Sequence, residues 1–407
     1  MSTQVHATLS ADQVEAISDA LDEPEWLLET RLEALSALED LDMPPVIRTP
    51  GRNWTNLADL DYEALVDPAT SEETQVRSGP DSVSVLPWGE ALEQHADLIR
   101  EHFGSVIDPQ SNYLTALSTA LFSTGTVIVV PEGVAAEDVT VETTMNGRSL
   151  FNYTLVVTET NSSVTIYEHQ ETGEPPEEAG YYSGLVEVVA GENSSVQYGS
   201  LQALDESVYN FTAKQAVTDT YGTVTWIEGN IGSRLTKTTV STVLEGDGSE
   251  TQIVGAFFGH DDQHFDLDSK VWHRAEQTTA DLVTRGVVDD TARSVYEGVQ
   301  DVGQDAWNTS SYQRENTLML SDESEADASP KLIINNHDTE ASHSATVGQV
   351  DREDLLYMTS RGIDEQLATN MLVEGFFVPV LDEIAVDALR ADMEALIDRR
   401  LETRSTP

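Results

Sequence analysis

The sequence predicts a mainly β protein with helical ends, and three observations lead to this fold class. From about Val127 to Val288, short β-branched strands alternate with turns of Gly, Asn, Ser and Asp. Helical patterns of apolar residues at three- and four-residue spacing lie before and after this region. Within it, a strand that follows a small-residue turn recurs at near-regular intervals. The chain therefore divides into an N-terminal helical part, a β core and a C-terminal helical part, with expected boundaries 1–124, 125–350 and 351–407.

The N-terminal part opens with two predicted helices. Ser10 is a suitable N-cap for the first helix, and Pro24 stands near the first turn of the second. Pro44-Pro45 ends this pair, and residues 48–82 are expected to be mostly irregular, with a polar linker at about 70–82. Further elements are then predicted: a strand at 83–86 and helices at 88–103 and 112–122.

The β core contains a loose internal repeat. The segments NSSVTIY, NSSVQYG, YGTVTWI and GSETQIV begin at Asn161, Asn193, Tyr221 and Gly248, at intervals of 32, 28 and 27 residues. Such spacing favours stacked coils of strands. Because the period is irregular, the spacing alone leaves a sandwich or a barrel open.

The segment from Pro330 to Gly362 joins the β core to the C-terminal helices. The apolar run Leu332–Ile334 predicts a buried strand, and the small residues Ser344–Gly348 predict a tight turn beside His343. Asp351 is expected to cap a helix that begins near Arg352.

The predicted C-terminal part continues with helices at Asp364–Glu374 and from Asp382 to about Leu401. The apolar segment Gly375–Val380 is expected to connect them, docked on the β core or exposed to a partner. The acidic segment Ser321–Ser329, before the joining segment, is expected to be a solvated loop.

The composition limits the classes of partner and chemistry. Acidic residues outnumber basic ones 73 to 21, for a net charge of −52. On a patterned chain with four lysines, this charge indicates a high-salt cytoplasm, where counterions screen repulsion. Nucleic acid and anionic membranes are poor partners for such a surface. The absence of cysteine excludes disulfides, thiolate nucleophiles and thiolate-held clusters within this chain.

Neither a signal peptide nor a long apolar run is visible in the sequence, so a cytoplasmic protein without a membrane span is expected. The sequence also lacks a phosphate-binding loop, a dinucleotide fingerprint, a nucleophile elbow and the H-E-x-x-H motif. The most metal-like spacing is His260-Asp261-Asp262 with His264 and Asp266. On a strand, His260 and His264 would lie about 13 Å apart, too far for one ion. Pairing with carboxylates is therefore favoured over metal binding.

The run from Ser342 to Ile363 carries a family resemblance. SHSATVG followed by LLYMTSRGI resembles the C-terminal signature of the SufB/SufD family of iron–sulfur cluster assembly proteins, and the SufD branch in particular. The chain departs from that pattern at His337, Ala341 and Ser344, and none of these departures touches His343. By spacing alone, His343 would be a structural residue.

The resemblance implies a right-handed parallel β-helix and a non-catalytic subunit of a SufB–SufC–SufD complex. The implied partners are a cysteine-containing SufB-like paralogue and a SufC-like ABC-type ATPase, and a homodimer is left open. His343 would share iron or a nascent cluster with SufB, so that no cofactor is stably bound. Candidates for docking the ATPase are Leu355, Tyr357, Ile363, Met371, Phe376 and Phe377. Two other hypotheses are a purely structural β-helix adaptor and a β-helix enzyme acting on acidic polysaccharides.

Overall fold

A computed structural model describes residues 10–44, 60, 73–176, 179–384 and 386–403. Its helices before the β core are α1 (Ala11–Ala20), α2 (Glu25–Ala37), α3 (Trp88–Gln94), α4 (Ala96–His102) and α5 (Tyr113–Leu121). After the core come α6 (Arg352–Thr359), α7 (Glu365–Leu381) and α8 (Asp387–Thr403). The strands are β1 (Glu73–Ser78), β2 (Ser84–Pro87), β3 (Thr124–Val130), β4 (Ala135–Met145), β5 (Ser149–Thr158), β6 (Ser163–Thr172), β7 (Gly180–Ala190), β8 (Ser195–Ala203), β9 (Val208–Thr218), β10 (Thr223–Asn230), β11 (Leu235–Leu244), β12 (Glu250–Gly259), β13 (His264–His273), β14 (Thr279–Val288), β15 (Arg293–Val302), β16 (Thr309–Met319), β17 (Glu325–Ile334) and β18 (Thr339–Gln349).

The described strands form a parallel β-solenoid of about eight turns. Sheet A contains the even-numbered strands from β4 to β18, and sheet B contains the odd-numbered strands from β3 to β17. Each coil thus supplies one strand to each sheet. The strands β1 and β2 add antiparallel edges to sheets A and B at the N-terminal end. The predicted β core with helical ends is confirmed, and the sandwich and barrel alternatives are wrong.

The repeat in the sequence corresponds to the alignment of successive strands in sheet A. Ser163, Ser195, Thr223 and Glu250 lie side by side at the starts of β6, β8, β10 and β12. The turns before three of these strands place Asn161, Asn193 and Tyr221 at φ values of 58°, 53° and 56°. Asparagine adopts this left-handed region more readily than most residues. Asn193 Nδ2 also donates to Asn161 Oδ1 at 2.7 Å, which links successive turns.

An apolar cluster occupies the solenoid interior toward the N-terminal end and in the middle coils. Valine, isoleucine and aromatic side chains from both sheets form it, including Val164, Ile166, Tyr198 and Trp226. Polar side chains are buried in these coils as well, among them Lys214, 2 % exposed, whose Nζ lies 3.1 Å from Glu228 Oε2 and 3.7 Å from Glu168 Oε2. These three charged groups are thus buried together between the sheets.

The N-terminal helices pack on sheet B around Trp88, Phe103 and Phe122. A buried carboxylate anchors the loop that follows α4. Glu187 of β7 accepts hydrogen bonds from the backbone N–H groups of Gly104, Val106 and Ile107, at 2.8, 2.8 and 2.7 Å. This clamp and the aromatic packing fix the helices on the solenoid.

Several local predictions for the N-terminal part are refined by the structure. The predicted N-cap Ser10 is confirmed, and the structure adds Asn112 as the N-cap of α5. The single helix expected at 88–103 is two helices that meet at His95. The segment expected to be a polar linker contains β1, which pairs with β4 from Glu73 to Ser78. The remainder of the irregular region, between 45 and 72, lies outside the described residues apart from residue 60.

Four predictions for the C-terminal third are wrong. Leu332–Ile334 is a strand but not a buried one, because it belongs to β17, the last strand of sheet B among the described residues. Ser344–Gly348 is not a turn but part of β18. The acidic segment 321–329 is a loop only at its start, since β17 begins at Glu325. Gly375–Val380 lies inside α7, and Pro379 stands in the last turn of that helix.

Candidate functional site

The C-terminal end of the solenoid is an uncovered surface formed by β17 and β18. Each is the last strand of its sheet and pairs with one neighbour, β15 or β16, among the described strands. Ile333, Ile334 and Val347 are exposed on these strands. An edge strand presents unpaired backbone N–H and C=O groups, which makes it a template for pairing with another chain. We refer to β17 and β18 together as the open end.

His343 lies on the open end, in the middle of β18. The parallel register places it beside Gln313, and the same column continues through Leu282, Ile253 and Trp226. The last three are buried residues of the solenoid interior. His343 therefore occupies an interior position whose covering coil is absent, which is why its side chain is exposed. The strand, rather than the predicted turn, positions this histidine.

Two polar side chains are buried inside the solenoid directly below His343. Gln313 and Glu315 of β16 are each 1 % exposed. The Gln313 amide crosses the interior to sheet B, where a Cβ at Gly298 would lie 1.6 Å from its Nε2. Glu315 Oε1 accepts a hydrogen bond from Thr317 Oγ1. Burial raises the pKa of Glu315 to about 7, although the Thr317 hydrogen bond lowers it.

Gln313 and Glu315 were not predicted as site residues from the sequence. They lie 30 residues before the positions that pair with them in β18, His343 and Ala345. The signal that could have found them is the coil period itself. One coil before His343, the sequence has the polar residue Gln313, whereas the positions of the earlier coils in the same column are apolar.

The six predicted docking residues do not form one surface. Tyr357 of α6 is 59 % exposed and Met371 of α7 is 45 % exposed. Leu355, Ile363 and Phe376 are half-buried. Phe377 is fully buried and stacks on Phe258 of sheet A, with ring centroids 6.3 Å apart. Its side chain attaches α7 to the solenoid and presents no surface.

Exposed apolar side chains that the prediction left out lie near Tyr357 and Met371 in the chain. Leu356, Leu367 and Val378 are 68 %, 54 % and 48 % exposed. Contiguous exposed apolar surface on a protein often marks a site where another molecule binds. We call Leu356, Tyr357, Leu367, Met371 and Val378 the C-terminal apolar face.

The histidine pair 260 and 264 does not converge on one site. His264 begins β13 and is buried, whereas His260 lies in the preceding turn. His260 Nε2 is instead 2.7 Å from Glu206 Oε1, and His260 Nδ1 is 3.2 Å from Asp261 Oδ2. Arg400 of α8 also contacts Glu206, at 2.9 Å. The expected pairing with carboxylates is therefore confirmed for His260.

In the part of the chain that the structure describes, no helix is both long and apolar enough to cross a membrane.

The fold and the site define a class of protein: a parallel β-solenoid with an open end that carries a histidine and with an apolar face on its C-terminal helices. Comparison with known sequences gives the family. The model of the "SUF system FeS cluster assembly, SufBD core domain" matches residues 140–376. The chain belongs to this SufB/SufD family.

The similarity to individual members extends over nearly the whole chain. The iron–sulfur cluster assembly protein SufD of Bacillus subtilis is 28 % identical, over 97 % of this chain and 98 % of its own length. The iron–sulfur cluster assembly protein SufB of the same organism is 27 % identical, over 97 % of this chain and 93 % of its own. A SufBD family protein of Staphylococcus epidermidis is 26 % identical with the same coverage as SufB. The family resemblance expected from the SHSATVG signature is thereby confirmed.

Proposed function

We propose that this chain is a SufD-like, non-catalytic subunit of a cytoplasmic SufB–SufC–SufD complex, in which it supports the assembly of nascent iron–sulfur clusters. Iron and the cluster are cargo, handled at the interface with SufB and not stably bound by this chain alone. The single observation that carries the proposal is the position of His343, exposed on the edge strand of sheet A. Neutral imidazole is a known ligand of iron in biological clusters.

The open end is the proposed interface with a cysteine-containing SufB-like paralogue. Its edge strands offer backbone hydrogen bonds, and Ile333, Ile334 and Val347 offer apolar area. Because the sequence holds no cysteine, thiolate ligands for a cluster must come from the other chain. A second copy of this chain could add to the same edge, but it would bring no thiolate.

The C-terminal apolar face is the proposed docking site for a SufC-like ABC-type ATPase. The half-buried candidates Leu355, Ile363 and Phe376 lie on the same two helices or between them and would form the border of the contact. ATP hydrolysis would then be a property of the partner, in keeping with the absence of a phosphate-binding loop motif from the sequence.

The test is a His343→Ala variant in the reconstituted complex, with His337→Ala as the matched control. Both side chains are exposed, and the two residues are six positions apart. We expect His343→Ala to retain both partners and to lose most cluster formation, measured from the visible absorption of the assembled cluster. His337→Ala should assemble clusters at the wild-type level. Equal cluster formation by the two variants would contradict the proposal and favour a purely structural adaptor.

A further inference from the structure

Two buried side chains below His343 have polar atoms without partners. Among the described residues, nothing hydrogen-bonds to either amide atom of Gln313 or to Oε2 of Glu315. Buried polar groups are nearly always paired, so such atoms call for an explanation by a ligand, a water or a function. The two residues lie next to one another in the interior columns of β16, under the open end.

The register brings these groups within reach of His343. Gln313 lies directly beside His343, and Glu315 lies beside Ala345, two residues further along the same strand. From the spacing of strands and the rise per residue, the Cα atoms of Glu315 and His343 are about 8 Å apart. All three side chains belong to the interior side of sheet A, since residues two apart on a strand point the same way. A glutamate and a histidine can span that separation when both bind one ion.

The chemistry and the charge of this position fit a divalent cation. A carboxylate oxygen, an amide oxygen and an imidazole nitrogen form a donor set that suits first-row divalent metals such as Fe²⁺. The net charge of −52 attracts cations to the whole molecule and disfavours an anionic ligand.

We propose that Glu315 and His343, with the Gln313 amide oxygen as a third donor, form a binding site for one divalent first-row cation inside the open end. This inference rests on the proposed function and extends it, because it lets the chain hold an iron ion before the SufB-like partner arrives. Three donors leave coordination positions free, which transfer of the ion to a partner requires. Glu315 is buried under the last coil, so the partner chain would not need to displace it.

The experiment titrates the metal-free full-length chain with Co²⁺ as a spectroscopic probe, in high KCl to suppress binding to the acidic surface. We expect one Co²⁺ per chain with visible absorption bands. Glu315→Gln and His343→Ala should each weaken the affinity at least tenfold. The matched control is Glu340→Gln, which removes an exposed carboxylate from β18 and should leave the affinity unchanged.

A thermal melt of the same variants separates a ligand role from a merely structural one. Without metal, Glu315→Gln should melt at or above the wild-type temperature, because an amide is cheaper to bury than a carboxylate. Addition of Co²⁺ should raise the melting temperature of the wild type and not that of Glu315→Gln. Unchanged Co²⁺ affinity in Glu315→Gln would overturn the site and indicate that the carboxylate is only hydrated.

The two proposals fail in different measurements. If Glu315→Gln binds Co²⁺ normally while His343→Ala still abolishes cluster formation in the complex, the cation site is wrong and the proposed function stands. If both variants lose Co²⁺ but assemble clusters at the wild-type rate, the cation site stands and the proposed function is wrong.

Discussion

Lys214 Nζ lies 3.1 Å from Glu228 Oε2 inside the solenoid, with Glu168 at 3.7 Å on its other side. Burial raises the pKa of Glu228, and the ion pair with Lys214 lowers it again. Ser200 links the two partners, because it accepts a hydrogen bond from Lys214 at 2.5 Å and donates one to Glu228 at 3.1 Å. One lysine thus serves two buried carboxylates.

We expect Lys214→Met to destabilise the fold strongly, because it leaves both carboxylates buried without a counter-charge. Loss of one partner from a buried ion pair costs about 3–5 kcal/mol of unfolding free energy. Urea denaturation in high KCl measures the change. Lys331→Met, which removes an exposed lysine that pairs with Glu297 at the surface, should cost less than about 1 kcal/mol. A loss of similar size in both variants would show that the buried ion pairs of Lys214 stabilise the fold no more than an exposed pair does.

A charge placed on the open end should prevent association without unfolding the chain. We expect Ile334→Glu and Val347→Glu to remain folded, because both side chains are already exposed, and to lose binding to the SufB-like partner. Size-exclusion chromatography with light scattering measures complex formation. Val76→Glu is the matched control, since Val76 is an exposed valine on β1, at the opposite edge of sheet A. Binding by the open-end variants at the control level would place the interface elsewhere.

Apolar residues of the C-terminal helices should divide into a binding group and a folding group. Leu356→Ser and Tyr357→Ser should leave the melting temperature nearly unchanged and abolish capture of the SufC-like ATPase. Phe377→Ala should instead lower the unfolding free energy by about 3–5 kcal/mol, because it opens a cavity in the contact with Phe258. If the two serine variants still bind the ATPase, the C-terminal apolar face is not its docking site.

The contact of α8 with the solenoid should weaken at acid pH. The hydrogen bond with His260 and the nearby Arg400 lower the pKa of Glu206 below its ordinary 4.5, against a smaller opposing effect of burial. A carboxylate with a lowered folded pKa stabilises the fold above its unfolded pKa, and this contribution disappears as the pH falls through the folded value. The difference in melting temperature between wild type and Glu206→Gln should therefore shrink below pH 4.5. Glu192→Gln, an exposed turn residue, should show no such pH-dependent difference.

Salt should raise the stability of the whole chain. With a net charge of −52, repulsion across the surface is strong in dilute buffer and is screened at high ionic strength. We expect the melting temperature to rise steadily with KCl concentration. A melting temperature that does not depend on salt would contradict adaptation to a high-salt cytoplasm.

The sequence was sufficient to predict features that depend on neighbouring residues or on the coil repeat. The predicted caps Ser10 and Asp351 are local, because each involves N–H groups within three positions. The stacking of coils could be predicted from the recurrence of Asn161 and Asn193, because successive coils contain the same turn before their strands in sheet A.

The open end could not be predicted in the same way. Ile333 and Ile334 have the sequence of a buried strand, and only the absence of a following coil exposes them. Lys214, Glu168 and Glu228 belong to different coils, and no short pattern connects them. The position of His343 in an interior column depends on the register of all preceding strands of sheet A. The small residues that follow it, such as Ser344 and Ala345, resemble those of a turn, so the strand was not predicted.

The terminal position of the last coil has a consequence for local unfolding. Each coil of a solenoid is stabilised mainly by the coils on either side, and the last coil has only one such neighbour. It also covers the buried polar side chains Gln313 and Glu315. The amides of β17 and β18 should therefore exchange with deuterium long before those of β8 and β10. A partner strand on this edge would supply the missing neighbour, and we expect it to slow the exchange of the β17 and β18 amides.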